Sequence, residues 1–246
     1  NYKSFFARVN ESNTRFFCGY DHVLGEAAQK IGEIYKKYSF GKLITIDVEF
    51  REHWQGIFDA HSWLDGPKDT YLGFTSRGGG AIGEHSHAIN FWQFLARTFN
   101  GGKIREVSAK LDIVNDKFVN YDKLALINVS TDKNILGRVI QDVVTKPSKK
   151  WARAQFENGF IEWHCGREKN LDEIIYSSND NVHKRIKFNK SRADDFIIEL
   201  KHISNCIKNK SIKSEISLDY GLDTMRVING SILSHKEKRT IEIQNK

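Results

Sequence analysis

Apolar residues near the start of the chain follow two different periods, and each period predicts its own kind of element. Residues 15–20 form a short apolar run between polar residues, which predicts a buried strand. Apolar positions recur at helical spacing over residues 24–38 and stop at Phe40-Gly41, which predicts an amphipathic helix. Residues 43–50 alternate between apolar and polar side chains and predict a second strand.

A long segment without a clear period follows, over residues 51–80. Its aromatic side chains, among them Trp54, Trp63 and Tyr71, argue against disorder. Irregular segments of this length inside a compact domain are usually functional. We therefore expect part of a binding site in this segment.

Strand-like segments dominate the middle of the chain. They cover residues 106–114, 123–131, 137–145, 151–157 and 160–165. Asn158-Gly159 is a strong signal for a hairpin turn between the last two. The polar residues 168–190 predict a flexible excursion.

Two helices and a short strand are predicted near the end, over residues 192–209, 218–234 and 240–243. The inward side of the second helix is expected to carry Leu222, Met225, Ile228, Ile232 and Leu233. The whole order predicts an α+β fold with an open, mainly antiparallel sheet covered by helices on one face.

Composition narrows the functional classes. The 246 residues carry a net charge of +7, but the one local basic cluster, Lys146, Lys149 and Lys150, flanks Pro147 and is typical of a solvated turn. We therefore expect no nucleic acid partner. We also expect no membrane partner, because no apolar stretch approaches the roughly 18 residues of a membrane helix. The three cysteines are odd in number and far apart, so we expect a reducing, cytoplasmic compartment.

The segment with the most chemical content is the glycine run Gly78-Gly79-Gly80, followed by Glu84, His85 and His87. Apolar residues at helical spacing follow the run, which predicts a helix that presents titratable groups on its first turns. On such a helix Glu84 and His87 share a face, whereas His85 and His87 point to opposite sides. A capping role for Glu84 at the start of the helix is an alternative of equal weight.

Three segments together resemble the C-terminal part of the Gfo/Idh/MocA family, the glucose–fructose oxidoreductase and inositol dehydrogenase group. Residues 17–22 are similar to the family's "gYnhR" strand end, and residues 78–90 to its "GGGxxxDxSHxID" motif. Residues 217–243 resemble its terminal helix and strand. The middle motif is the most specific of the three.

The resemblance implies roles for individual residues. His87 falls on the family's catalytic histidine, the general acid/base, and Glu84 falls where the family has a catalytic-site aspartate. The candidate substrate-binding residues are Tyr20, His22, Trp54, Trp63, Arg77 and Asn90. For Trp54 and Trp63 among them, and for Tyr71, a place in the core is an equal alternative. Two departures are Val23, where the family has arginine, and Asn90, where it has a second aspartate.

The resemblance also implies NAD or NADP as cofactor, a sugar or nucleotide-sugar substrate, and a homodimer or homotetramer formed through the open sheet. No Gly-x-Gly-x-x-Gly turn occurs in the sequence, so no cofactor-binding residue is assigned in this chain. We expect residues 1–22 to be the last piece of a Rossmann-type dinucleotide-binding domain. Residues 23–246 then form the substrate-binding and oligomerisation domain, with the terminal helix and strand over residues 218–244.

Four functions stay open at this point. The first is an NAD(P)-dependent sugar dehydrogenase, of which this chain is the substrate-binding portion. The second is a non-catalytic sugar-binding or dimerisation module, and the third is an NAD-recycling glycosidase of the same family. A metal-dependent hydrolase using His22, His85, His87 and Glu84 is disfavoured by the helix geometry, so we expect no metal site.

Overall fold

The computed structural model describes residues 2–12, 14–179 and 181–243. The described residues form nine strands: β1 (Leu43–His53), β2 (Ile104–Asn115), β3 (Asn120–Thr131), β4 (Leu136–Asp142), β5 (Val144–Phe156), β6 (Gly159–Glu168), β7 (Leu171–Ser178), β8 (Val182–Asn189) and β9 (Ile241–Glu242). Their helices are α1 (Tyr2–Glu11), α2 (Glu26–Lys37), α3 (Gln55–Ala60), α4 (Ala81–Glu84), α5 (His87–Thr98), α6 (Arg192–Lys208) and α7 (Leu218–Glu237).

All nine strands belong to one open sheet with the order β8-β7-β6-β5-β1-β4-β3-β2-β9. Strands β1 and β4 pair in parallel, with Val48 opposite Val139, and the other neighbours are antiparallel. The predicted open, mainly antiparallel sheet is therefore confirmed.

The helices α2, α5 and α7 cover one face of this sheet. Ile46, Val48 and Phe50 alternate along β1 toward that face and are at most 1% exposed. The indole of Trp92 on α5 donates a 2.9 Å hydrogen bond to the Ile46 carbonyl, which fixes the helix against β1. The intervening residues of β1 lie on the opposite face, where Asp47 pairs with Arg138 and Glu49 with Lys149.

Two elements differ from the sequence prediction. Residues 15–20 are not a strand: Phe17 forms a single bridge with Ser217 beside the start of α7, so the segment has no sheet neighbour. Residues 168–190 are not a loop excursion, because most of them form β7 and β8. The strand β8 lies at one edge of the sheet, and most of its residues are exposed. Its sequence is therefore mostly polar and predicts a loop.

The helix α7 is confirmed, and of its predicted inward residues Ile228 is buried, Ile232 and Leu233 pack partly buried against the core, and Met225 is not inward. Met225 is 54% exposed, and the buried side includes Gly221, Thr224, Gly230 and Ser231. A Cβ at Gly230 would come within 2.5 Å of Ile243 Cδ1 and 2.9 Å of Val107 Cγ1. Small residues are needed where the helix lies this close to the sheet, so hydrophobicity alone does not mark the contact face.

The segment 51–80 contains the end of β1, the helix α3 and three turns of 3₁₀-helix at Pro67–Asp69, Tyr71–Gly73 and Thr75–Arg77. It encloses a small second core of Trp54, Leu72, Ala81 and Val143. The assignment of residues 1–22 to a dinucleotide-binding domain stays a prediction, and Asn1, Asn13 and Gln244 lie outside the described residues. None of the helices in the described part of the chain has the length and apolar character needed to cross a membrane.

Candidate functional site

The expected helix after the glycine run is broken into two, which changes the geometry of its titratable residues. The short helix α4 ends at Glu84, and α5 begins at His87. Between them, Ser86 N–H bonds the carbonyl of Gly83 and Ala88 N–H bonds that of His85, both at i to i+3 spacing. A single continuous helix was therefore the wrong prediction, and Glu84 and His87 do not form the expected pair on one face.

The glycine run holds α4 against the sheet through Asp122. The Ile82 amide donates a 2.8 Å hydrogen bond to Asp122 Oδ2 at the start of α4. Gly80 has φ of +84°, and a Cβ there would lie 2.1 Å from Asp122 Oδ1. Burial raises the pKa of this carboxyl to about 7. The glycines thus permit a close approach within the fold.

Because of the break, His87 lies near a carboxylate, Asp21, that the sequence does not identify as a site residue. Asp21 and His22 lie in a 3₁₀ turn at Asp21–Leu24 that packs against α5. Asp21 Oδ1 is 2.7 Å from Nδ1 of His22 and 3.5 Å from Nδ1 of His87. The two imidazole ring centroids are 5.1 Å apart. One oxygen of the Asp21 carboxylate therefore faces Nδ1 of His22 and Nδ1 of His87.

Aromatic rings surround the two histidines. The Tyr20 ring meets His87 edge-on at a centroid distance of 5.2 Å, and its hydroxyl lies 3.4 Å from Ser86 Oγ as a donor. His22 lies 5.2 Å from the Phe50 ring and 6.2 Å from the Trp163 ring, which project from β1 and β6. The site is therefore shielded on its sheet side by apolar rings, and burial raises the pKa of Tyr20.

This environment sets the charges of the site. Although burial by itself raises the pKa of Asp21, the hydrogen bond with His22 and the attraction of the two histidines lower it to about 2. Burial, with repulsion from His22, lowers the pKa of His87 to about 3. Near neutral pH the site holds one carboxylate beside a neutral imidazole of His87. Nδ1 of His87 is buried without a hydrogen-bond partner, and its side chain as a whole is 30% exposed.

His85 belongs to a different group of charges. Its Nδ1 lies 3.8 Å from Glu52 Oε2, and Lys150 Nζ lies 3.1 Å from the same oxygen. Burial lowers the pKa of His85 to about 4. His85 and His87 thus face different carboxylates, Glu52 and Asp21.

Glu84 bonds to Tyr71 instead of His87. The Tyr71 hydroxyl donates a 2.7 Å hydrogen bond to Glu84 Oε2, and burial together with this carboxylate raises the pKa of Tyr71 to about 12. Arg77 lies exposed, with its guanidinium 4.3 Å from the Phe74 ring centroid. Neither residue contacts the histidine pair, and their catalytic and substrate-binding roles stay predictions.

The remaining candidates divide into buried and exposed residues. Trp54 is 5% exposed and packs on Tyr121 at a ring distance of 4.8 Å, which favours the core alternative. Asn90 is fully buried, and its amide donates to the Thr224 hydroxyl at 3.1 Å. Trp63 is 75% exposed and contacts the His61 ring. Of these three, Trp63 has the surface that a ligand requires.

Asp21 is the main functional candidate that sequence reasoning missed. Its one signal is the adjacent Asp-His pair at residues 21 and 22. The ligand atoms of Asp21, His22 and His87 all lie within 4.8 Å of one another, which also makes this set able to hold a metal ion.

A scan against protein-family models and a search of curated protein sequences give no match. Solved structures do match. Levoglucosan dehydrogenase in complex with NADH aligns with a TM-score of 0.80 at 13% identity, over 99% of this chain and 70% of that one. An NAD binding oxidoreductase from Klebsiella pneumoniae gives 0.71 at 14% identity, over 92% of this chain and 66% of that one.

A third match is the WlbA dehydrogenase from Bordetella pertussis in complex with NADH and UDP-GlcNAcA. It aligns with a TM-score of 0.68 at 14% identity, over 99% of this chain and 68% of that one. These neighbours are NAD(P)-binding oxidoreductases of the Gfo/Idh/MocA type. The resemblance predicted from the sequence is thus confirmed at the level of the fold, and the chain spans about two thirds of the neighbours' length.

Proposed function

We propose that this chain, which has the fold of the Gfo/Idh/MocA oxidoreductases, is the substrate-binding portion of an NAD(P)-dependent enzyme that acts on a hydroxyl group of a sugar, sugar derivative or nucleotide sugar. The observation that carries the proposal is His87, a shielded neutral imidazole beside the Asp21 carboxylate. Solved neighbours with this fold include complexes with NADH and either levoglucosan or UDP-GlcNAcA.

In the proposed reaction His87 is the general acid/base. With Nδ1 protonated toward Asp21, its Nε2 carries a free lone pair that accepts the proton of the substrate hydroxyl. The imidazolium that forms is stabilised by the Asp21 carboxylate 3.5 Å away. Asp21 acts here as a positioning residue: at 3.5 Å it makes no hydrogen bond with Nδ1 of His87, but its charge favours the tautomer with the proton on that nitrogen, and it does not touch the substrate.

The chemistry that NAD(P) supplies when bound is acceptance of the hydride from the carbon that carries the hydroxyl. The sequence contains no Gly-x-Gly-x-x-Gly turn, and we assign no pyrophosphate-binding residue in this chain. The rings of Tyr20, Phe50 and Trp163 limit water around the histidine pair, so charge that develops on His87 is screened less than in bulk water.

The substrate side of the proposal rests on two exposed residues of the segment 51–80. Trp63 offers an aromatic face to the C–H groups of a sugar ring, and Arg77 offers hydrogen-bond donors to sugar oxygens or to the phosphates of a nucleotide sugar. Tyr20 and His22 line the position next to His87. A cytoplasmic enzyme with these substrates is part of the same proposal.

The open face of the sheet is the proposed contact between copies of the chain. Leu126 and Leu136, 43% and 63% exposed, lie on this face together with Ile140, which is opposite Leu126 in the register of β3 and β4. Apolar residues on an unpaired sheet face are typical of an association surface. A homodimer or homotetramer would bury them.

Cofactor and substrate titrations of the full-length natural protein test the proposed function. Binding of NADH or NADPH, followed by sugar-dependent formation of reduced cofactor, is the expected result. If neither cofactor binds, the proposed enzymatic function is refuted. Sugar binding without turnover would favour the binding module, and cleavage of a glycoside without net reduced cofactor would favour the NAD-recycling glycosidase.

A further inference from the structure

We propose that Asp21, His22 and His87 form a binding site for a divalent transition metal ion of the Zn²⁺ class. The set combines two imidazoles and one carboxylate, a ligand combination that zinc accepts in sites with an open coordination position. It differs from the set that the sequence suggests, because Asp21 replaces Glu84 and His85 faces Glu52. This inference does not depend on the proposed oxidoreductase activity.

The distances of the two nitrogens from Asp21 Oδ1 are close to those that tetrahedral zinc requires, and the three ligand atoms all lie within 4.8 Å of one another. With metal–ligand bonds of about 2.0–2.1 Å, neighbouring ligand atoms in a tetrahedron lie about 3.3 Å apart. Nδ1 of His87 is already 3.5 Å from Asp21 Oδ1. Nδ1 of His22 is 2.7 Å from that oxygen and must move away by about 0.6 Å, which a small side-chain rotation provides.

The unpartnered nitrogen of His87 supports the site independently of these distances. Its Nδ1 is buried without a hydrogen-bond partner although it points toward a carboxylate. A buried polar atom in this state costs free energy, because it has given up water without gaining a protein partner. A metal ion between the three side chains supplies that partner.

The charges nearby favour a cation at this position. Asp21 supplies a carboxylate that faces both imidazoles, and the ammonium of Lys150 is paired with Glu52 at 3.1 Å. Two imidazole nitrogens select zinc and the other transition metals over Mg²⁺ and Ca²⁺, which prefer oxygen ligands. The aromatic rings around His22 exclude additional protein oxygen ligands on the sheet side, so the fourth position is left for solvent.

Metal binding has a chemical consequence for His87, and this consequence alone rests on the proposed function. The metal takes the Nδ1 lone pair of each histidine, so in both His22 and His87 the proton that Nδ1 carried toward Asp21 moves through solvent to Nε2 of the same ring. No proton is gained or lost overall. Nε2 of His87 is then a donor and cannot accept the substrate proton, so bound Zn²⁺ inhibits the oxidation.

The test is a competition titration of the chelator-treated full-length protein, with Zn²⁺ distributed between the protein and a chromophoric chelator. We expect one tight site per chain, and an affinity loss of more than about 100-fold in His22→Gln and in His87→Gln, since even loss of an outer-shell partner costs about 10–100-fold. His183→Gln, which changes an exposed histidine on β8, is the matched control and should bind like the wild type.

A second readout needs no variant. Long-range ¹H–¹⁵N spectra of the wild-type imidazoles should show Nδ1 of two histidines becoming metal-bound at one equivalent of Zn²⁺. Equal affinity in wild type, His22→Gln and His87→Gln, or no tight site in the wild type, would overturn the metal site. Neither result bears on cofactor binding, so failure of this inference is distinguishable from failure of the proposed function.

Discussion

Asp21 Oδ1 lies 3.5 Å from Nδ1 of His87, although 66 positions separate the two residues in the chain. The carboxylate on the glycine-run side, Glu84, is bonded to Tyr71 at 2.7 Å and does not contact this imidazole. In the family motif the acid and the histidine are three residues apart on one segment. In this chain the acid that faces the histidine lies in the 3₁₀ turn before α2.

This arrangement predicts different effects for the two carboxylates. Asp21→Asn should lower turnover of the full-length protein by about 100-fold or more, because it removes the charge that stabilises the His87 imidazolium. Glu84→Gln should change turnover by less than about threefold. The measurement is kcat for both variants, with NADH affinity as the control for folding.

A merely structural role for Asp21 would leave the pH profile of the remaining activity unmoved. If Asp21 sets the protonation of His87, the profile of Asp21→Asn shifts and Asp21→Glu restores part of the rate. Larger loss in Glu84→Gln than in Asp21→Asn would contradict the assignment.

A second prediction concerns the glycine run. Gly78 and Gly80 both have positive φ, +86° and +84°, but a Cβ meets Asp122 at Gly80 and nothing within 4 Å at Gly78. Gly78→Ala should therefore cost only the backbone strain, about 1 kcal/mol. Gly80→Ala should cost at least about 1–2 kcal/mol more, because ψ of 171° at this φ is a conformation that essentially only glycine adopts and because the contact with Asp122 must open.

Denaturant unfolding of the two variants measures this difference directly. The Gly78→Ala protein serves as the reference for a Gly-to-Ala change at positive φ, but ψ is 11° at Gly78 and 171° at Gly80, so the difference contains backbone strain as well as the contact. Equal destabilisation of the two proteins would show that the contact between Gly80 and Asp122 does not limit the packing of α4.

The buried carboxyl of Asp122 predicts a pH dependence of stability. Its pKa is raised to about 7 in the folded state, against about 3.9 in the unfolded chain. The folded protein therefore holds the proton more tightly, and the free energy of unfolding falls as the pH rises from about 3.9 through about 7. The contribution is complete below the unfolded pKa.

Comparison with Asp122→Asn isolates the contribution of this carboxyl to the pH dependence of stability, because the amide stays neutral. Between about pH 5 and pH 8, wild type should lose about 2–3 kcal/mol of unfolding free energy relative to the variant. Parallel pH curves for the two proteins would mean that Asp122 is ionised throughout, held by the amides at the start of α4.

The parts of the fold with a strong period could be predicted from the sequence. In β1 and in β2 to β6, the pattern of apolar residues within each strand marks the side chains that are buried. These strands and their order along the chain could therefore be predicted. The helix α7 was found, but only part of its contact face was, because the sheet also approaches it at glycine and serine. β8 escaped prediction since an edge strand needs few apolar residues.

The site was less predictable than the fold. His87 is recognised from the family motif. Its neighbours depend on the break between α4 and α5, and the apolar residues at helical spacing give no sign of this break. The contact with Asp21 depends on tertiary packing of the 3₁₀ turn against α5, and no local pattern reports it. Asn90 looks like a site residue in the motif, yet full burial and the bond to Thr224 give it a place in the core.

The most direct measurement for the central claim is the turnover of His87→Gln in the full-length protein, together with its affinity for NADH. We predict unchanged cofactor binding and a loss of kcat of about 100-fold or more, because the variant has no group that can take the substrate proton. Turnover at the wild-type rate would contradict the role of His87 as the general acid/base.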